Sequence, residues 1–239
     1  MLIDILSLFP EFFQSPFDVS IVKRARDKGL IELRQTNIRD FSVDKHKKVD
    51  DRPFGGGPGM VLAPQPVCAA LRQVKTAASY VVHLSPQGEP LNAKKCQQLA
   101  QLPHLVLLCG HYEGIDQRVI DTEIDEEISI GDYVLTNGCI AAIVLVDALI
   151  RFIPGVLGHA EAALQDSFQE DRFDCPQYTR PEVFEGISVP SVLLQGNHAA
   201  IAKWRYQKSL EKTLKKRPQL VLQHFLAKKL NILQEGERP

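Results

Sequence analysis

The chain has 239 residues, 44% hydrophobic and 24% charged, with a formal net charge of -1. That length can bury a substantial core as one large domain or two modest ones, and the composition is that of a soluble globular protein. A charge so near zero does not by itself suggest a nucleic-acid partner, so any such contact must use local basic patches.

Taken in chain order, the opening MLIDILSLFPEFF predicts a strand over 2–8, followed by a helix over 16–28 and a strand over 31–36. Next comes VDDRPFGGGPGM, residues 49–60. It is too polar at its start to follow a strand, no Lys-Ser or Lys-Thr follows its glycines, and Met60 stands where a dinucleotide fingerprint needs its third glycine. Taken alone it reads as a flexible linker. A helix over 64–78, a strand over 80–84, a helix over 93–100 and a strand over 105–109 follow, several of the strands apolar throughout as buried parallel strands are. A helix over 140–152 is apolar on nearly every side except at Asp147 and Arg151. The alternation predicts an α/β fold.

Near residue 158 the texture changes. Residues 159–174 are polar and acidic without a clear strand, and CPQYTRPEVFEG is rich in turn formers. From His198 a helical pattern runs to Arg217, setting Ile201, Trp204, Leu210 and Leu214 against Lys203, Arg205, Lys208, Lys212, Lys215 and Lys216. The expected division is a domain at 1–158, a linker at 159–173 and a small helical C-terminal domain at 174–239. The five cysteines are scattered and form no C-x-x-C pair, which argues against a zinc site or a disulfide framework and fits a reducing cytoplasm. The N-terminus lacks a basic start and carries Asp4 early, and the longest apolar run, 139–146, is far short of a membrane span. A cytoplasmic location is expected.

Three loops follow apolar strands where an α/β sheet opens its ligand crevice: Leu84-Ser85-Pro86-Gln87-Gly88, Gly110-His111-Tyr112-Glu113-Gly114-Ile115-Asp116, and the run from Ile130 to Gly138. Glycines at strand ends let a ligand lie against main chain. One such loop reads as a tight turn. Three together point to a ligand site and leave the ligand unnamed.

SLFPEFF, DDRPFGGGPGM, SPQG, CGHYEGIDQRV, DEEISIGDYVL, RFIPGVLGH, DSF and CPQYTRPEV stand in the order and spacing of the bacterial tRNA (guanine-N(1)-)-methyltransferases, and the chain resembles that family to about Arg217. The resemblance implies an α/β fold of the SPOUT methyltransferase class, with a parallel sheet, a deep trefoil knot and a small helical C-terminal domain. Periodicity alone would not suggest a knot, since knots are nearly absent among folds. It further implies an S-adenosyl-L-methionine cofactor, a homodimer with a shared active site, and methylation of the guanine just 3′ of the anticodon in tRNA. On this pattern Leu84, Ser85, Pro86, Gly110, Tyr112, Glu113 and Gly114 would bind the cofactor. So would Ile130, Gly131, Asp132, Tyr133, Val134, Leu135 and Gly138. No metal ligand is implied. The glycine-rich stretch would lie beside the active site and help cradle RNA, with Arg52 pairing a phosphate and Asp50 and Asp51 holding Arg52 or nearby N–H groups.

The reaction sets its own demands. Guanine N1 is poorly nucleophilic until its proton, with a pKa of about 9, is removed, and a free aspartate carboxylate near 3.9 falls short by about 5 units, or roughly 7 kcal/mol. A cation beside the carbonyl oxygen narrows that gap, and partial desolvation of such an acid narrows it further. Asp166 in DSF matches the family's general base and Arg151 in RFIPGVLGH its charge-stabilising arginine. Without the resemblance, Asp166 reads as a solvated linker acid or helix cap, and Arg151 as a helix end placed well against the dipole. The basic C-terminal helix reads either as a solvated face or as a dock for the tRNA stem. Cys175 and Tyr178 are given no chemistry.

The chain departs from the family after IGDYVL, where Ser-Gly-Gly-Glu-Leu-Pro-Ala is usual and Thr136-Asn137-Gly138-Cys139-Ile140-Ala141-Ala142 stands here. Asn137 is expected to keep the loop's shape by taking a left-handed conformation. His111 stands where Arg is common. Two other readings compete: a SPOUT ribose 2′-O-methyltransferase and a non-catalytic RNA-binding module.

Overall fold

The computed structural model describes residues 1–159 and 162–222. The chain divides into two compact units, Met1–Ala160 and Glu161–Pro239. Residues 160–161 of the expected linker and 223–239 of the expected C-terminal domain lie outside the described residues.

In the first unit the strands are β1 (Leu2–Ser7), β2 (Glu32–Asn37), β3 (Asp50–Asp51), β4 (Val61–Leu62), β5 (Ser79–Pro90), β6 (His104–Cys109) and β7 (Glu126–Ser129). The helices are α1 (Gln14–Phe17), α2 (Ser20–Asp27), α3 (Pro64–Val74), α4 (Ala93–Leu99), α5 (Gln117–Glu123) and α6 (Cys139–Ile150). Five strands form one parallel sheet in the order β2-β1-β6-β5-β7, and β3 pairs antiparallel with β4.

Both faces of the sheet are buried, so its central strands are apolar on alternate residues twice over. Ile3, Ile5, Val82, Leu84, Leu105 and Leu107 pack on one side with α2, α4 and α6. Leu6, Val81, Val106 and Leu108 pack on the other with Val67, Ala70 and Leu71 of α3 and Val119 of α5. Two buried polar side chains inside this sandwich satisfy each other, His104 Nε2 lying 2.7 Å from Asp4 Oδ2.

The helix expected over 16–28 is two helices. Val19 is extended and Ser20 takes φ 52°, a break that periodicity does not register. Strand β7 and helix α5 were not expected. β7 reads EEIS, too polar for an apolar-run criterion, and α5 is a short helix whose Asp116 cap accepts from the Arg118 N–H at 3.0 Å.

The second unit holds a hairpin of β8 (Val183–Phe184) and β9 (Ile187–Ser188) and the long helix α7 (His198–Lys216). The Asn197 side chain caps α7, accepting from the Ala200 N–H at 3.1 Å. Residues 167–174 are tied to α7. The Phe173 N–H donates to Thr213 Oγ1 at 2.9 Å, the Ser209 hydroxyl donates to the Phe173 carbonyl, and Lys212 pairs with Asp174 at 3.0 Å. The Arg172 guanidinium lies 4.9 Å from the centre of the Tyr206 ring. Among the described residues no helix is long and apolar enough to cross a membrane.

Candidate active site

Sheet register builds the site. Leu84 of β5 pairs with Cys109 of β6 and with Ile128 of β7, so three adjacent parallel strands end level. Their loops must then leave from the same edge, the carboxyl edge where such sheets bind ligands. They surround one cleft of about 330 Å³. Leu84, Ser85, Pro86, Gly110, Tyr112, Glu113, Gly114, Ile130, Gly131, Tyr133, Val134, Leu135 and Gly138 all line it. Asp132, named with them from the sequence, is exposed and does not line it.

The first loop is an excursion within β5. Leu84 and Glu89 both pair with Ile128, so residues 85–88 are pushed out of the sheet into the cleft wall. The second and third loops lock together. The Gly138 N–H donates to the Gly110 carbonyl at 2.9 Å, and His111 bridges Asn137. A Cβ on Gly138 would stand 2.9 Å from both Cys109 Cα and Gly110 N, so only glycine permits this approach.

The departure at Asn137 has a different solution from the expected one. Asn137 is absent from the residues with positive φ. Its side chain instead accepts the Cys139 N–H at 2.8 Å, an Asx turn that starts α6 and orders the loop. Behind the loop the Cys109 and Cys139 thiols share a hydrogen bond, which together with burial holds Cys109 well above the ordinary thiol range.

The sequence reading missed His83, buried at the cleft floor. Its Nδ1 lies 3.2 Å from the Leu108 carbonyl, which can only accept, so Nδ1 carries the proton. Nε2 is then the free lone pair, 4.0 Å from Glu127 Oε1. Burial lowers the His83 pKa against the opposing pull of the Leu108 carbonyl and Glu127. The only sequence signal was a lone histidine inside YVVHL. His111, at the family's usual Arg position, is packed edge-on to Phe9 at 5.3 Å and to Tyr112 at 4.5 Å. Burial, then the Arg39 charge, hold its pKa down, with Asp50 opposing. Tyr112 itself sits at φ 59°, a strained setting of the kind found at functional sites.

The glycine-rich stretch does not line the cleft but packs against the back of its second loop. The Glu113 N–H donates to the Met60 carbonyl at 3.0 Å, and the Glu113 side chain occupies the space a Cβ on Gly59 would need. Gly55, Gly56 and Gly57 follow one another at φ 83°, 80° and 119°, with Phe54 fully exposed beside them. Asp51 accepts the Arg52 N–H at 2.8 Å and pairs with Lys48, and these contacts hold its carboxyl below the usual range.

Arg151 follows α6 in the first unit and is exposed. Asp166 is exposed in the second unit and lines a concavity of about 520 Å³ with Arg172, Arg205 and Tyr206.

A parallel α/β sheet whose adjacent strand ends converge on one cleft at the carboxyl edge defines the architecture of a class of proteins that bind ligands at that edge. The chain belongs to the family described as tRNA (Guanine-1)-methyltransferase TrmD, whose model matches residues 1–223. It is 65% identical over 221 residues to a tRNA (guanine-N(1)-)-methyltransferase of Protochlamydia amoebophila, covering 92% of this chain and all of that relative. It is 58% identical over 225 residues to the protein of that name from Chlamydia trachomatis serovar D, covering 94% of this chain. The match spans 64% of the length of that chlamydial relative.

Proposed function

We propose that the chain methylates ring nitrogen 1 of the guanine just 3′ of the anticodon in tRNA, with S-adenosyl-L-methionine as methyl donor. The observation that carries this reading is the convergence of three glycine-bearing loops on one cleft, in a chain of this family. The cleft's size falls within the range of small-molecule sites. Main chain from three loops offers the donors and acceptors an adenosine needs, and Glu113 and Glu127 place carboxylates in the lining, suited to a cationic ligand. When bound, the cofactor supplies an electrophilic methyl group on a sulfonium. The family's trefoil knot belongs to this reading as what family membership implies.

The chain's own residues then have separable tasks. Asp166 takes the proton from N1, and Arg151 lies against the guanine carbonyl oxygen, where negative charge gathers as the proton leaves. The protein works as a homodimer, and Asp166 of one subunit completes the cleft of the other. Gly55, Gly56 and Gly57 present main chain to the RNA beside the cleft. Exposed Lys203, Lys215 and Lys216 on α7 receive the tRNA stem.

Mass mapping of tRNA after incubation with labelled S-adenosylmethionine tests the reading. Label is expected on ring nitrogen 1 of the guanine next to the anticodon. Label on a ribose oxygen would instead assign a 2′-O-methyltransferase, and RNA binding without transfer a non-catalytic module.

A further inference from the structure

The second unit carries a groove of about 440 Å³ that neither the methyl donor nor the proton transfer uses. Ile201, Trp204 and Arg205 stand at i, i+3 and i+4 of α7, which places them on one face of that helix. Across the groove the Tyr178 ring, 48% exposed, sits 6.2 Å from the Trp204 ring at a tilt of 56°. Such a tilt leaves a wedge between two aromatic planes. Arg180 and Arg205, both exposed, flank it, and neither forms an ion pair among the described residues.

We infer that this groove receives the base of an unstacked nucleotide of the RNA substrate, next in sequence to the nucleotide that Asp166 serves. The inference rests on the tRNA-methylating reading and adds to it a second nucleotide subsite. Aromatic planes bind unpaired bases by stacking, and free guanidiniums hold the phosphates that must accompany them. A purely structural tryptophan accounts for a buried indole. It does not account for an open groove with a half-exposed tyrosine and two arginines without an ion pair among the described residues around it.

Position decides which nucleotide it is. Gln177 and Arg205 line both this groove and the concavity that holds Asp166, so they form a shared wall between the two. A guanine drawn to Asp166 brings its neighbour to the far side of that wall. Arg205 then sits where the linking phosphate must pass. Glu182, also in the groove lining, is an acceptor for an exocyclic amino group.

Trp204 is the chain's single tryptophan, so the indole fluorescence of the full chain reports on this groove alone. The probe is an anticodon stem–loop RNA, titrated while binding is followed independently by filter retention. The expected result is a quench that saturates with binding and disappears when one nucleotide flanking the target guanine is made abasic. Tyr178→Ala should raise the RNA Kd about 5- to 150-fold, the range set by losing one stacking partner, with an unchanged melting curve. Arg180→Ala should lower the salt dependence by about one phosphate contact. RNA retained on the filter with no change in fluorescence would overturn the inference, as would a quench indifferent to every abasic substitution or a wild-type Kd in Tyr178→Ala. If the stem–loop is methylated but the indole signal stays still, the subsite fails and the function stands. If no methyl is transferred to any tRNA, the functional reading fails and the subsite falls with it.

Discussion

Gly138→Ala is the sharpest test of how the cleft is built. The added methyl would lie 2.9 Å from Cys109 Cα, 2.9 Å from Gly110 N and 3.3 Å from Cys109 C. All three are backbone atoms of a central strand's end, so no side chain can rotate away. Carbon atoms rest at about 3.5–4.0 Å, which means the two loops must separate by roughly half an ångström or more. Overpacking of this kind costs about 1–3 kcal/mol. For a domain of this size that predicts a melting temperature about 2–12 °C lower by calorimetry. The same separation stretches the 2.9 Å bond from the Gly138 N–H to the Gly110 carbonyl, displacing two of the three cleft walls. The Kd for S-adenosylhomocysteine by titration calorimetry should therefore rise roughly tenfold or more, tenfold corresponding to about 1.4 kcal/mol. Gly158→Ala is the control, because a Cβ there meets nothing within 4 Å and φ is not positive. If Gly138→Ala melts and binds like Gly158→Ala, the loops are not held by backbone contact and the account of the cleft is wrong.

Asp166→Asn should lower the single-turnover methylation rate by about 10²–10⁴-fold while leaving the cofactor Kd unchanged. A nearly full rate at saturating tRNA would remove Asp166 from the role of base. Arg151→Ala should slow the same step, with a deficit that shrinks as pH approaches the guanine pKa; a deficit constant in pH would argue against charge stabilisation. Mixing Asp166→Ala protein with a cofactor-loop variant should restore activity through heterodimers, and verified subunit exchange without recovery would contradict a shared site. Glu123→Gln should cost about 1–2 kcal/mol in urea melts at pH 7. Glu123 is buried between Arg72 at 2.7 Å and Lys75 at 3.1 Å, and its loss leaves behind cations that water can reach. Burial raises the Glu123 pKa, but hydrogen bonds from Lys75 and Arg72 outweigh it and the net shift is downward from 4.5. The stabilisation is therefore complete above pH 4.5 and fades as pH falls through the lowered value, where variant and parent should converge.

The buried strands were legible because both faces of a parallel sheet demand apolar residues, and β1 and β6 are apolar except at Ser7 and at the paired Asp4 and His104. β7 escaped that criterion for a physical reason. Glu126 is neutralised by Lys95 and hydrogen-bonded by the Tyr80 hydroxyl, while Glu127 faces the cleft, so this edge strand spends its side chains on polar contacts. Two of the cleft loops were legible as glycines after the apolar runs of β5 and β6, whereas the third, expected to follow an apolar strand, follows the polar EEIS of β7; sheet register brings the three together. His83 was not, because nothing in one sequence distinguishes a buried histidine under a ligand site from a satisfied core histidine. Arg151 and Asp166 drew their roles wholly from family likeness, since an arginine ending a helix and an aspartate in an acidic stretch carry no chemistry on their own. The stretch 159–174 showed no clear strand, and the ties of Phe173 and Asp174 to Ser209, Lys212 and Thr213 of α7 reach partners some 36–40 positions away that local pattern does not see.

The excursion at residues 85–88 separates what can vary from what cannot. Its two ends, Leu84 and Glu89, are both pinned to Ile128, so its length does not enter the register of the sheet. Residues added between Pro86 and Gln87 would leave Pro90 still paired with Ser129, and doubling such a loop costs only about 0.6 kcal/mol of closure entropy. Gly88 is the exception, because its backbone lies against that of Glu127 and Ile128 with no room for a Cβ. One wall of the cleft can therefore be lengthened or rewritten, by selection or by an engineer seeking a different ligand, while the scaffold beneath it keeps its strand pairing residue for residue.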